Sequence, residues 1–401
     1  MNREKHNILL MIQNFLIDDL KLKWNRIQQS MQLSGADGCL LSIDVNLFYV
    51  TGRIFSGYFY LPAEGEPCFF VKRPNNLSGE RLEYIRKPEQ MPELFAKYGL
   101  KMPRKLLMEA DELSYSEYTR LQKVFAPEET ANATALMRAQ RMVKTPYEIE
   151  QFRKAAAEHS LVYTEVPECY KPGMTDIELQ SEIERRMRLH GSIGLFRAFG
   201  ANMDIFMGSL LAGENAEAPS PFDFALGGEG VSAAVPLGAN GTLLKEGTAI
   251  MVDMAGNYTP YMTDMSRIFS VGKLTDQAYC AHQTSLEIQA DIMANARPGV
   301  GCADLYQIAM KHVEKAGLQD NFMGTKQQAK FVGHGIGLQI NELPVLTPRS
   351  REELSANMVF ALEPKFVIPG VGAVGVENSF LVTDTGLEKL TLFTEDIIEL
   401  H

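Results

Sequence analysis

Apolar positions recur at helical spacing from Leu20 to Leu33, then give way to short runs at Gly38 to Ile43, Tyr58 to Leu61 and Pro67 to Val71, separated by turn residues. A helix followed by short strands predicts a small α/β unit. Near its end, in Arg141-Met-Val-Lys-Thr-Pro-Tyr-Glu148, Thr145 can cap a helix, Pro146 suits its first turn and Glu148 completes a capping box. The domain boundary is placed just before this helix, dividing the chain into 1–141 and 142–401.

The second part carries a weak internal echo. Lys171-Pro-Gly-Met-Thr-Asp-Ile-Glu-Leu179 joins two helical stretches, and Arg297-Pro-Gly-Val-Gly-Cys-Ala-Asp-Leu305 does the same after a helix beginning near Thr275. Duplication of one half and a coincidence of ordinary Pro-Gly turns both account for this. Apolar runs predict strands at Ala249 to Ala255, Ser266 to Val271, Met358 to Lys365 and Gly375 to Val382. Helical pairs flanking a strand-rich stretch give an α+β arrangement of helices over a sheet.

Composition narrows the classes of function. With 401 residues, 45% hydrophobic and 22% charged, the chain has material for two globular domains and a sizeable core. A formal charge of −11 without clustered Lys and Arg argues against nucleic acid as a partner. The five cysteines are scattered and odd in number, which fits a reducing compartment better than a disulfide framework. Ile8 to Leu16 is apolar, but Asp18, Asp19 and Lys21 follow and no small-residue cleavage site appears. Neither a signal peptide nor a membrane span is expected, and the cytoplasm is the simplest address.

The strand-like segments hold acids where acids are costly. Asp253 sits in Ala-Ile-Met-Val-Asp-Met-Ala, Glu363 in Met-Val-Phe-Ala-Leu-Glu-Pro and Glu377 in Val-Gly-Val-Glu-Asn-Ser-Phe; Asp264 is read as preceding the strand that starts at Ser266. A carboxylate taken out of water costs several kcal/mol unless a cation or several donors compensate it. Of basic residues only Arg267 and Lys365 are near, too few to match four acids, so divalent metal ions are the better answer. His334, in Phe-Val-Gly-His-Gly-Ile-Gly-Leu, offers an imidazole on a backbone that three glycines allow to bend and to be approached closely. One nitrogen among oxygens suits manganese, cobalt, iron or zinc alike. Each residue alone has a bland reading as a cap, a turn or a solvated strand position; the constellation is what points to metal.

Asp253, Asp264 eleven residues on, His334 in Gly-His-Gly-Ile-Gly-Leu, Glu363 in Leu-Glu-Pro and Glu377 in Val-Glu-Asn together resemble the pita-bread metallopeptidases, which include aminopeptidase P, prolidase and methionine aminopeptidase, with creatinase a relative that does not use metal. Residues 1–141, with Asn46-Leu-Phe-Tyr-Val-Thr-Gly52, resemble the family's amino-terminal domain. The resemblance implies a creatinase-like α/β domain followed by a pita-bread catalytic domain. It also implies two divalent ions: Asp253 on one, Asp264 and Glu377 bridging, His334 and Glu363 completing the second, with Glu363 taking the proton of an attacking water. A homodimer is implied as well.

Two departures from the family pattern bear on substrate. Proline-specific members carry a histidine seven residues after the metal-binding one, where this chain has Asn341, and another about seventeen residues before the first metal Asp, where it has Pro236 and Leu237. Asn341 can position a substrate but cannot change charge near neutral pH. Phe196, Arg197 and Phe199, and the segment Ser220-Pro221-Phe222, are candidate pocket residues. Three functions are therefore carried forward: a Xaa-Pro aminopeptidase or dipeptidase on small peptides, an enzyme of the same fold acting on a small C–N or C–heteroatom substrate, and a metal-free pseudoenzyme that binds a partner.

Overall fold

The computed structural model describes residues 2–200, 206–222 and 224–401, with side chains from residue 16 onward. Part of the apolar stretch Ile8 to Leu16 thus lies outside the described side chains, although its backbone belongs to the helix Asn2–Ser34. No described helix is long and apolar enough to cross a membrane. The chain forms two compact units, Met1–Arg141 and Met142–His401.

The first unit is built on a six-stranded mixed sheet in the order Leu82–Tyr84, Cys68–Arg73, Ser56–Pro62, Gly38–Leu41, Lys105–Met108, Glu129–Asn132. Leu40, Tyr60, Phe70 and Leu106 from the strands pack with Phe95 and Phe125 from helices Met91–Lys97 and Tyr115–Phe125. Glu109 is fully buried, and its Oε2 accepts the backbone N–H groups of Ser42 and Ile43 at 2.7 and 3.0 Å, satisfying donors at the start of helix Asp44–Thr51.

In the second unit the helix Pro146–Cys169 begins as its sequence indicates, with Thr145 and Glu148 forming the reciprocal capping box. A four-stranded sheet runs in the order Ile398–Leu400, Thr263–Val271, Thr248–Gly256, Gly208–Ala212. Along its second long strand Ile250, Val252 and Met254 pack with Val162, Tyr163, Leu179 and Ile183 of the helices Pro146–Cys169 and Asp176–Leu189. Ala249 and Met251 point the other way, into a core shared with helices Asp276–Asn295 and Cys302–Ala316 and with Val332, Phe360, Leu362 and Phe380. Period-two alternation thus lets both faces of one strand be covered. Phe360, Leu362 and Phe380 belong to a five-stranded sheet, Glu342–Leu346, Gly333–Gly335, Val359–Leu362, Asn378–Val382, Leu387–Lys389, beside a hairpin of Lys365–Ile368 with Gly372–Gly375.

Three strand boundaries differ from the sequence expectation, all at the acids. Asp264 lies inside a strand, because its backbone pairs opposite Ala255 in the hairpin. The run Met358 to Lys365 breaks after Leu362, where Glu363 and Pro364 connect strands of two different sheets. Gly375 to Val382 likewise divides, leaving Val376 and Glu377 between strands.

Candidate metal centre

The strands Thr248–Gly256 and Thr263–Val271 run antiparallel with Asp253 opposite Ser266 and Ala255 opposite Asp264. Opposed residues leave the same face of a sheet, so a hairpin converts the eleven-residue separation of Asp253 and Asp264 into a diagonal pair. His334 is central in the strand Gly333–Gly335, in register with Ala361 and Val345. A Cβ on Gly333 would strike the Ala361 carbonyl and one on Gly335 that of Leu343, which is why glycine flanks this histidine. Glu363 is tied by its N–H to Val332 O at 2.9 Å, and Glu377 by its N–H to Ser266 O at 3.3 Å. The Ser266 hydroxyl donates to Glu377 Oε2 at 2.6 Å. Asp264, Glu363 and Glu377 are buried, and the Asp253 side chain is 19% exposed.

The sequence marks Lys365 only as a basic residue near the acids; the structure places it among them. Lys365 Nζ lies 2.8 Å from Asp253 Oδ2, 2.7 Å from Glu363 Oε2 and 2.8 Å from Glu377 Oε2, with a side chain only 1% exposed. The three protons of an ammonium match three carboxylates. Counting basic residues against acids misses this because what matters is placement: Glu363 and Lys365, two apart in an extended segment, point to one side. The signal was present in Leu-Glu-Pro-Lys. Arg267, the other basic residue noted, leaves the opposite face; its guanidinium donates to the carbonyls of Ser266, Glu377, Phe393 and Thr394 and to Asn378 Oδ1.

The charges divide unevenly over this cluster. Burial disfavours the Lys365 ammonium, but Asp253, Glu363 and Glu377 outweigh it and raise its pKa well above the ordinary value. Burial also pushes Glu363 up, yet Lys365 and His334 hold it down at about 2. Glu377 and Asp264 go the other way, raised first by burial and then by their carboxylate neighbours. His334 loses to burial but gains more from its Glu363 contact and from the Glu363 and Glu377 charges, and rises to about 9. The Lys365 ammonium offsets Asp253 and Glu363, whereas at Asp264 and Glu377 burial and the neighbouring carboxylates outweigh it.

Asp264, Glu377 and His334 together fit a cation by geometry. A ligand atom from each of Asp264, His334 and Glu377 lies within 4.8 Å of the others. His334 Nδ1 is 3.2 Å from its neighbour's carbonyl, Gly335 O, which assigns the ring proton there. Nε2 lies 3.3 Å from Glu363 Oε1 and 3.8 Å from Asp264 Oδ2, where it holds a proton at neutral pH that a bound cation would displace. Glu377 Oε1 is buried with no hydrogen-bond partner among the described residues. The expectation of two divalent ions on five ligands fits less well. Asp253, Glu363 and Glu377 would have to serve an ion with oxygens that already enclose the Lys365 ammonium.

The proposed substrate residues meet on a neighbouring pair of segments. Asn341 accepts from Phe199 N at 2.6 Å and donates to Phe199 O at 2.9 Å, while Ile340 N donates to Arg197 O at 2.7 Å. Asn341 therefore holds the main chain of the segment that carries Phe196 and Arg197, both half-buried. Behind Asn341, Glu342 forms a buried ion pair with Lys144 at 2.8 Å. Ser220 and Phe222 line a separate cavity of about 280 Å³ with Ala216, Leu226, Gly324 and Lys330.

Comparison with known proteins agrees with this architecture. Residues 23–143 match the creatinase/prolidase N-terminal domain, and residues 150–384 match metallopeptidase family M24. A Xaa-Pro dipeptidase of Pyrococcus horikoshii is 24% identical over 386 residues, covering 95% of this chain and all of the relative. An uncharacterized peptidase of Bacillus subtilis, YqhT, is 24% identical over 388 residues, covering 94% and 99%. A Xaa-Pro dipeptidase structure from Bacillus anthracis superposes with a TM-score of 0.79 at 22% identity, covering 95% of this chain and all of that one. With the M24 pattern spanning more than half of its length behind a creatinase-type domain, the chain belongs to metallopeptidase family M24.

Proposed function

We propose that the chain is a hydrolase that cleaves an amide bond in a small peptide, in the manner of a Xaa-Pro aminopeptidase or dipeptidase, with a divalent cation at Asp264, His334 and Glu377. The observation that carries this reading is the convergence of those three side chains, one nitrogen and two oxygen donors within 4.8 Å of one another, with Glu377 Oε1 buried and without a hydrogen-bond partner among the described residues. A divalent ion, when bound, supplies Lewis-acid chemistry, acidifying water and polarising a carbonyl. The protein's own groups divide the remaining work. Glu363, kept ionised by Lys365, is the acceptor for the water's proton at Oε1, and His334 Nε2 stands 3.3 Å from that atom. Asn341, through Phe199, sets the position of Phe196 and Arg197, the side chains proposed to hold the substrate. A homodimer in the cytoplasm completes the reading.

A second reading is favoured by Asn341 and Pro236, which stand where the family resemblance implies proton-handling histidines. Without them the same site would act on a small C–N or C–heteroatom substrate whose leaving group needs no histidine to protonate it. The test is a panel of Xaa-Pro dipeptides and longer Xaa-Pro peptides, with cyclic amides and guanidino compounds alongside, supplied with manganese or cobalt. Release of the residue preceding proline, abolished in His334→Ala, supports the peptidase reading; turnover confined to the non-peptide compounds replaces it with the second.

A further inference from the structure

The acid cluster of this chain holds a cation of its own. Three of the four carboxylates, Asp253, Glu363 and Glu377, converge on Lys365 Nζ at 2.8, 2.7 and 2.8 Å, in a position 1% exposed. The remaining acceptors, Asp264, His334 and one oxygen of Glu377, do not touch that ammonium. Glu377 joins the two groups: its Oε2 accepts from Lys365 and Ser266, and its buried Oε1 is without a partner among the described residues. We propose that Lys365 is a permanent, covalently tethered cation replacing one member of a metal pair, so that the centre takes a single divalent ion, on Asp264, His334 and Glu377.

Charge and donor geometry both support this division. Four carboxylates with one ammonium retain a formal surplus of three negative charges, which one divalent ion reduces to one; a second ion would need carboxylate oxygens that Lys365 already occupies. The ammonium has three N–H donors and three carboxylate acceptors, so it gains nothing by leaving. Lys365 is also anchored at both ends. Its backbone N–H reaches Met323 Sδ at 3.5 Å, its carbonyl accepts from Met323 N at 2.8 Å, and its strand pairs opposite Gly375. A Cβ on Gly375 would meet the Pro364 carbonyl at 2.5 Å, so this close pairing requires glycine there. Because the ion count does not depend on which bond is cleaved, it stands or falls apart from the peptidase reading.

The experiment is equilibrium titration of chelator-stripped, full-length protein with Mn²⁺ alone, followed by elemental analysis after desalting. The wild type is expected to retain about one ion per chain, His334→Ala to bind more than about 100-fold more weakly, and Lys365→Ala to take up about two. Mn²⁺ should also raise the Tm of Lys365→Ala by more than that of the wild type, since the ion then supplies charge the lysine no longer does. Two ions on the wild type would overturn the proposal, as would none. A folded Lys365→Ala that gains no ion over the wild type would also overturn it. If that variant folds only with Mn²⁺ present, its ion content is measured after refolding in Mn²⁺, and the wild-type count decides independently.

Discussion

Lys365 and Glu363 stand two residues apart across Pro364, and their charged ends meet at 2.7 Å, both side chains buried. The extended chain that ends one sheet and begins the next puts both on one side, so a single short segment supplies an acid and its counter-ion. This pairing fixes which carboxylates still need a cation from outside.

Replacing Lys365 with Met keeps the volume but leaves Asp253, Glu363 and Glu377 without their shared ammonium. Removal of one partner from a buried ionic cluster costs about 3–5 kcal/mol. In metal-free buffer, urea unfolding of Lys365→Met should show a loss of that size, and a change below about 1 kcal/mol would show that the ammonium is not compensating these acids.

Arg267 is fully buried and bonds four carbonyls and Asn378 Oδ1, tying the strand bearing Asp264 and the segment bearing Glu377 to residues 393 and 394. Lysine cannot reproduce this planar fork. Arg267→Lys should lose about 3 kcal/mol or more of stability, because several buried carbonyls lose their donor. An unfolding midpoint equal to that of the wild type would refute the anchoring role.

Lys144 and Glu342 form a second buried pair, 1% and 2% exposed, on the residue that follows Asn341. Lys144→Met alone should cost about 3–5 kcal/mol by removing the cation beside a buried carboxylate, and Glu342→Gln added to it should return much of the loss. Additive effects in the double-mutant cycle would mean that the two do not act as a pair.

The first unit carries a pH signature. Burial lifts the Glu109 carboxyl from 4.5 to about 7 despite the hydrogen bonds from Ser42, Asn46 and Ile43. Its raised folded value means the native state binds the proton more tightly than the unfolded state. Stability from this group is therefore fully present below about pH 4.5 and is lost as pH rises to about 7, a swing of order 3 kcal/mol. Glu109→Gln keeps an oxygen for the Ser42 and Ile43 N–H groups and should flatten that part of the stability profile. An unchanged profile would contradict the assignment.

Much of this was legible in the sequence where local chemistry decides structure. The Thr145, Pro146 and Glu148 cap starts its helix as read, and His334 lies between glycines whose absent Cβ atoms give room to the carbonyls of Ala361 and Leu343. What was not legible depends on which strand meets which. Asp264 lies within its strand because Ala255 pairs with it across the hairpin, a pairing that an acidic residue disguises as a strand end. Asn341 reads as a substrate contact, whereas the structure shows its amide engaged by the Phe199 main chain, 142 residues away. Lys365 was visible as a residue near the acids; only the meeting of the Asp253, Glu363 and Glu377 segments shows that three of them share it.

The most direct test is a crystal structure of the wild type grown with excess Mn²⁺, read by anomalous scattering. A single peak bounded by Asp264, His334 and Glu377, with Lys365 Nζ still against Asp253, Glu363 and Glu377, is the expected result. Two peaks, with the lysine driven out of the cluster, would contradict it.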